Sequence, residues 1–345
     1  MKSVMFTGVG SVETVEVDDP SVRHPADAIL DVERSAICGS DLHPFRGEWG
    51  DPEGQRPGHE FIGTIVETGP EVRLRNVGER VLCSGAVGCG HCPHCDDGRS
   101  AACSAGMRVL GIPALTDYAG GQAEYVAVPA ADHCLMPIPE GMSDAAALLL
   151  TDNLATGWQG ARRAHVHEGD LVAVVGFGPV GMCAALAARL LGAWEIVVVD
   201  PVASRRQFAT ELGFTAFDAG PDTASQVVEH TGGGADAVIE SAGRDQSIRA
   251  AIDMGHTTAR ISAVSVPSEP YSAEPAALVG PHQRFVETVA SPQRAWPQLM
   301  AHLEAPAFAR LDDVFSHTMA LDDAASAYDL FANQADQCRK VMFTT

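Results

Sequence analysis

Cys89, Cys92, Cys95 and Cys103 stand in the run GCGHCPHCDDGRSAAC with the spacing C-x2-C-x2-C-x7-C. Thiolate sulfurs bind zinc at roughly 2.3 Å, and structural zinc sites are tetrahedral and closed by four protein ligands. Gly88, Gly90 and Pro93 supply the turns that bring such closely spaced cysteines back onto one ion. Four cysteine ligands leave no coordination position open, so the expectation is a structural zinc lobe over residues 88–104. A disulfide cluster or a group of buried free thiols is the competing reading, and this spacing disfavours it.

A second signal lies in LVAVVGFGPVG. Its Val-rich start reads as a buried parallel strand. Gly176, Gly178 and Gly181 then form G-x-G-x-x-G, enclosing Pro179 and Val180, and an Ala/Leu-rich helical stretch follows. The first glycine permits a tight turn, the second lets backbone approach a pyrophosphate, and the third lets helix and strand pack closely. A second apolar strand, EIVVVD, ends in Asp200, placed to accept hydrogen bonds from the adenosine ribose hydroxyls. A carboxylate there repels a 2′-phosphate. Arg205 and Arg206 could serve such a phosphate, but they fall in the first turn of the next helix, so NAD is expected over NADP. A glycine-bearing turn with no ligand is the bland alternative.

A third set is dispersed: Cys38-Gly-Ser40-Asp41-Leu-His43, then His59-Glu60, then Asp152 and Thr156 in TDNLATGWQGA. Taken singly, each residue is ordinary. A lone histidine is more often a satisfied core or surface group, and Asp152 passes for a helix cap.

The elements that must position these residues follow from pattern. Helix and strand signals alternate after the glycine turn: helix over 204–212, strand over 216–218, helix over 223–230, and strands over 237–240 and 260–266. This is a doubly wound parallel sheet, a dinucleotide-binding domain over 153–285. The segment before it reads as mostly β, with short alternating strands such as AILDVERSAI and FIGTIVETG between Gly/Pro turns. The fold class is therefore α/β, and the C-terminal segment is expected to return, giving a domain of 1–152 with 286–345.

With a length of 345 residues, two domains are the default. The net charge of −22 repels phosphate backbones and anionic headgroups, which argues against nucleic acid and membranes as partners. The start MKSVMFTGVG carries no signal-peptide apolar core, and the uncharged run 171–188 is broken by glycines and a proline. A cytoplasmic, reducing location is expected.

Taken in order, ICGSDLH, GHE, the four-cysteine lobe, TDNLATGWQGA, GFGPVG, VVVD and CRKVMF make the chain resemble the zinc-dependent medium-chain alcohol dehydrogenases. CGSDLHPFRG and LLLTDNLATGWQGARRA are most similar to their glutathione-independent formaldehyde dehydrogenase-like branch. The resemblance implies a GroES-like catalytic domain beside the Rossmann domain, and two zinc ions per subunit. Cys38, His59 and Asp152 match the catalytic zinc ligands, with Glu60 near the metal and Asp41 orienting His59. Ser40 and His43 match a proton relay that runs through a ribose hydroxyl. Thr156 matches a residue beside the nicotinamide and Arg339 a pyrophosphate-contacting arginine, while Arg205 remains near the adenosine end. Gly39 replaces a basic residue that some relatives use on the pyrophosphate.

The implied reaction is reversible NAD-linked hydride transfer between an alcohol and its aldehyde or ketone. The zinc lowers the alcohol's pKa and polarises the carbonyl in reverse. The implied partners are a small alcohol or aldehyde substrate and other copies of the chain, as a homodimer or homotetramer. Formaldehyde dismutation with retained NAD and a non-catalytic zinc-binding protein are the alternatives. A zinc-free quinone or enoyl reductase is disfavoured by the ligand set.

Overall fold

A computed structural model describes residues 1–267, 282–287 and 289–345. The chain forms two compact units: Met1–Ala155 with Ser291–Met300 and Phe315–Thr345, and Thr156–Ala290 with Ala301–Val314. Against the expected boundaries, residues 301–314 pack with the second unit. The reason is apolar: Phe308, Leu311 and Val314 are buried, and their short helical turns lie on the helix Pro179–Leu190 of that unit. Residues 268–281 of the expected 153–285 domain lie outside the described residues.

The first unit is built on a seven-stranded sheet. Its order is His317–Ala320, Val341–Thr344, Ala28–Ala36, Phe61–Thr68, Arg80–Cys83 and Leu135–Pro137, and Tyr125–Val128 also pairs with Ala28–Ala36. Val341–Thr344 lies antiparallel to Ala28–Ala36 with Met342 opposite Ala36, which sews the C-terminal segment into the N-terminal sheet. Two apolar clusters flank the site-bearing segments. One gathers Ile29, Leu30, Phe61, Ile65 and Leu135. The other gathers Phe6, Phe45, Tyr328, Phe331 and Phe343. Phe45 belongs to this second core, its ring 5.3 Å from that of Tyr328.

The second unit holds a six-stranded parallel sheet. Its order is Thr215–Asp218, Glu195–Asp200, Leu171–Val175, Ala235–Glu240, Gly255–Ala263 and Arg284–Glu287. Counted along the chain this is the 3-2-1-4-5-6 arrangement of dinucleotide-binding sheets, whose strand order reverses beside Leu171–Val175. That strand is apolar on both faces and residues 172–175 are buried, as a sheet covered on both sides requires. A mostly-β first unit and a second unit with a parallel sheet and helices give the α/β fold expected from the sequence.

Candidate metal centres and cofactor turn

Four side chains from three segments meet in the first unit. Ligand atoms of Cys38, His59, Glu60 and Asp152 all lie within 4.8 Å of one another. Cys38 follows the strand Ala28–Ala36 and opens a helical turn, where its N–H donates to Asp41 Oδ2 at 2.9 Å. His59 and Glu60 precede the strand Phe61–Thr68, and the Glu60 carbonyl accepts from Ala36 N–H at 2.9 Å. Asp152 caps the C-terminal end of the helix Asp144–Thr151, which begins with Ser143 accepting from Ala146 N–H. That end is pinned twice: Gly85 N–H donates to the Thr151 carbonyl at 2.7 Å, and Trp296 Nε1–H to the Leu150 carbonyl at 2.9 Å.

Within the cluster, Cys38 Sγ is 3.4 Å and His59 Nε2 3.7 Å from Asp152 Oδ2. On the other side of the ring, His59 Nδ1 faces Asp41 Oδ1 at 3.6 Å. Asp41 is buried and also accepts from Gln122 Nε2–H, whose own Oε1 accepts from Tyr328 Oη–H. Ser40 Oγ sits 3.4 Å from His59 Nε2. His43, a few residues on, has Nδ1 2.5 Å from Glu48 Oε2.

The electrostatics ask for a cation. Burial, then the Glu60 and Asp152 carboxylates, push the Cys38 thiol up to about 11. Burial opposes the charged form of His59, yet Cys38, Asp41 and Asp152 raise its pKa well above the ordinary value. Glu60 has a separate partner: its Oε2 lies 2.6 Å from Lys340 Nζ in a fully buried ion pair, and its Oε1 accepts from Asn153 Nδ2–H. Sulfur, imidazole and carboxylate converging, with Cys38 and His59 buried, are the donor chemistry zinc prefers, and they fit that ion.

The second cluster comprises the four cysteines predicted to form a lobe. Cys89, Cys92, Cys95 and Cys103 also place their sulfurs within 4.8 Å of one another, and all are free thiols. Backbone N–H groups of Ser104 and Cys95 hold Cys92 down at about 5, whereas burial pushes Cys95 up to about 12. Thiols this close cannot all ionise without a cation between them, which again fits zinc. Packing leaves no slack: a Cβ on Gly88 would lie 2.5 Å from Cys95 Sγ.

In the second unit Gly176 takes φ +87°, and a Cβ on Gly181 would lie 1.9 Å from the Gly176 carbonyl oxygen. Only glycine fits at both. Pro179 and Val180 open the helix Pro179–Leu190, whose cap is Gly178. Asp200 is buried at its strand end, Oδ2 accepting from Phe177 N–H at 2.6 Å and Oδ1 from Val202 N–H at 2.8 Å. The carboxylate thus ties the second strand to the glycine turn. Arg205 NH1 is 3.5 Å from Asp200 Oδ2, and its guanidinium lies beside Gly178. Arg206 turns instead to Asp218. Thr156 is buried in the helix Asn153–Arg163, as is Trp158. Arg339 sits in the first unit, its N–H donating to Ser316 Oγ.

Lys340 and Asn153, which grip Glu60, were not singled out by sequence reasoning. A charged residue opening the apolar run VMF was the available signal for Lys340.

Comparison with known proteins agrees with this geometry. The alcohol dehydrogenase GroES-like domain family matches residues 24–140, and the zinc-binding dehydrogenase family residues 179–305. A Mycobacterium tuberculosis protein named probable zinc-binding alcohol dehydrogenase Rv1895 is 38% identical over 329 residues, 95% of this chain and 84% of that protein. Formaldehyde dismutase of Pseudomonas putida is 37% identical over 233 residues, 63% of this chain and 58% of its own length. The structure of alcohol dehydrogenase TADH from Thermus sp. ATN1 superposes with a TM-score of 0.91 at 30% identity, covering 100% of this chain and 99% of that one. The chain belongs to the zinc-dependent medium-chain alcohol dehydrogenase family, a family of oxidoreductases.

Proposed function

We propose that this chain catalyses reversible, NAD-linked oxidation of a small alcohol to its aldehyde or ketone, with one catalytic and one structural zinc per subunit. The observation that carries this reading is the convergence of Cys38, His59, Glu60 and Asp152 within 4.8 Å. Cys38, His59 and Asp152 would hold the catalytic ion, and the four cysteines the structural one. When bound, the catalytic zinc supplies Lewis-acid polarisation of the substrate oxygen, and NAD accepts the hydride.

The chain's own groups handle orientation and protons. Asp41 faces His59 Nδ1 and orients the ring toward Cys38 and Asp152. Lys340 and Asn153 hold Glu60 at the edge of the donor set. Ser40 Oγ, at the rim of the cluster, takes the hydroxyl proton, and His43 delivers it to solvent. In the other unit, the N–H groups opening the helix Pro179–Leu190 are suited to a pyrophosphate, with Thr156 as a further cofactor contact. The buried Asp200 carboxylate disfavours a 2′-phosphate, so NAD is the proposed cofactor over NADP.

Among the described residues no helix is long and apolar enough to cross a membrane. A cytoplasmic homodimer or homotetramer is proposed, with neither nucleic acid nor membrane as partner.

The test is metal content together with NADH formation on a panel of alcohols and aldehydes, offered NAD or NADP. The expected result is two zinc ions per chain and NADH formed from alcohols. Cys38→Ala and His59→Ala should lose one zinc and all turnover; retained activity without that ion would refute the assignment. Formaldehyde converted to methanol and formate with no net NADH would indicate dismutation instead.

A further inference from the structure

His43 sits in the short helix Leu42–Phe45, and the chain folds back over it at once. Glu48 N–H donates to the His43 carbonyl at 2.9 Å, a return made possible by Gly47 at φ +73°. The same return brings Glu48 Oε2 within 2.5 Å of His43 Nδ1. It also lays the Trp49 indole on the imidazole, with ring centroids 4.7 Å apart and planes 13° from parallel. The side chains of His43 and Glu48 are only 13% and 23% exposed, so the pair is mostly withdrawn from water. The other charged groups of this turn point elsewhere. Asp41 accepts from Cys38 N–H and Gln122, and Arg46 donates to the Ala332 carbonyl.

We propose that Glu48 is a positioning residue for proton release, fixing the tautomer of His43 while Trp49 holds the ring plane. This rests on the reading of His43 as the outlet of the proton path. A carboxylate accepting Nδ1–H leaves Nε2 as the lone-pair nitrogen, the atom that must take a proton arriving from the site. When Nε2 is protonated the ring becomes an imidazolium, and the adjacent Glu48 charge stabilises it. The indole stacked on one face opposes the ring flip that would exchange the two nitrogens.

The test uses the zinc-loaded enzyme with histidine carbon labelling, and Glu48→Gln. Glutamine can meet Nδ1 with either its oxygen or its amide N–H, so it no longer dictates which nitrogen carries the proton. The His43 resonance is identified by its loss in His43→Gln. The ring-carbon shifts of His43 should move from those of the Nδ1–H tautomer toward a mixture of the two tautomers. The kcat/KM for alcohol oxidation should fall with them, with zinc content and NADH affinity as in the parent. Glu48→Asp should restore part of the tautomer preference and of the rate, which a purely structural role would not. Unchanged tautomer-sensitive shifts in Glu48→Gln overturn the proposal. A lost tautomer preference with unchanged kcat/KM, together with a fully active His43→Gln, removes His43 from the proton path and this role with it.

Discussion

Lys340 Nζ and Glu60 Oε2 form an ion pair at 2.6 Å in which both side chains are 0% exposed. The Lys340 ammonium also donates to the Ile37 carbonyl at 3.1 Å, next to Cys38. Burial opposes the Lys340 charge, but Glu60, Cys38 and Asp152 together raise its pKa above the ordinary value. Breaking such a pair leaves one buried charge uncompensated. Lys340→Met should therefore cost about 3–5 kcal/mol of stability, read as a lower urea midpoint. Lys340→Met with Glu60→Gln should recover a large part of that loss, because no full charge is then stranded. Equal midpoints for single and double variants would show that the pair is not coupled.

The cysteine lobe should separate stability from chemistry. Its sulfurs pack so tightly that a methyl on Gly88 would overlap Cys95 Sγ. Gly88→Ala is expected to lower zinc content toward one ion per chain and to reduce thermal stability. Turnover per remaining folded molecule should stay close to the parent value, since Cys38, His59 and Asp152 are untouched. Metal analysis beside active-site titration checks this, and loss of turnover in a variant of full stability would contradict a structural role.

Legibility in the sequence followed the range of each interaction. The four cysteines and the turn through Gly176, Gly178 and Gly181 are local patterns, and their spacing already dictates their geometry. Cys38, His59 and Asp152 come from separate segments brought together only by the tertiary fold, so their convergence was readable through family resemblance and not through spacing. Lys340 could be noticed as a charge opening the apolar run VMF, but its pairing could not be read because Glu60 lies far away in the chain. Arg339 drew notice while its neighbour is the residue buried against the site; adjacent residues entering a strand face opposite sides. Residues 301–314 read as part of the first domain because nothing in their composition says which core receives Phe308 and Leu311.

Acid should reveal the anchoring of the central parallel strand. Asp236 Oδ2 accepts from Leu171 N–H at 2.8 Å, and Oδ1 pairs with His256 Nε2 at 2.9 Å. Partial burial works against its charge, but the Leu171 N–H, His256 and Arg260 hold its pKa below the ordinary value. A depressed folded-state pKa means stability that is present above the unfolded value of about 4 and lost as pH falls through the folded one. Asp236→Asn should thus unfold more easily than the parent near neutral pH, with the gap closing below about pH 4. Urea midpoints across that range test the sign, and a gap that widened on acidification would contradict it.

Cofactor choice can be tested at the point where two elements are tied together. Both Asp200 oxygens are engaged by backbone N–H groups, one of them from Phe177 inside the glycine turn. The carboxylate is therefore held rigidly, with Arg205 at its side. Asp200→Ser removes the charge, keeps one acceptor and frees Arg205 to meet a 2′-phosphate. The ratio of kcat/KM for NAD over NADP should fall by about tenfold or more, roughly 1.4 kcal/mol of discrimination. Adding Arg205→Ala should abolish any gain with NADP while leaving NAD less affected, because only the phosphate needs that cation. A ratio unmoved by Asp200→Ser would mean that selectivity is set elsewhere in the second unit.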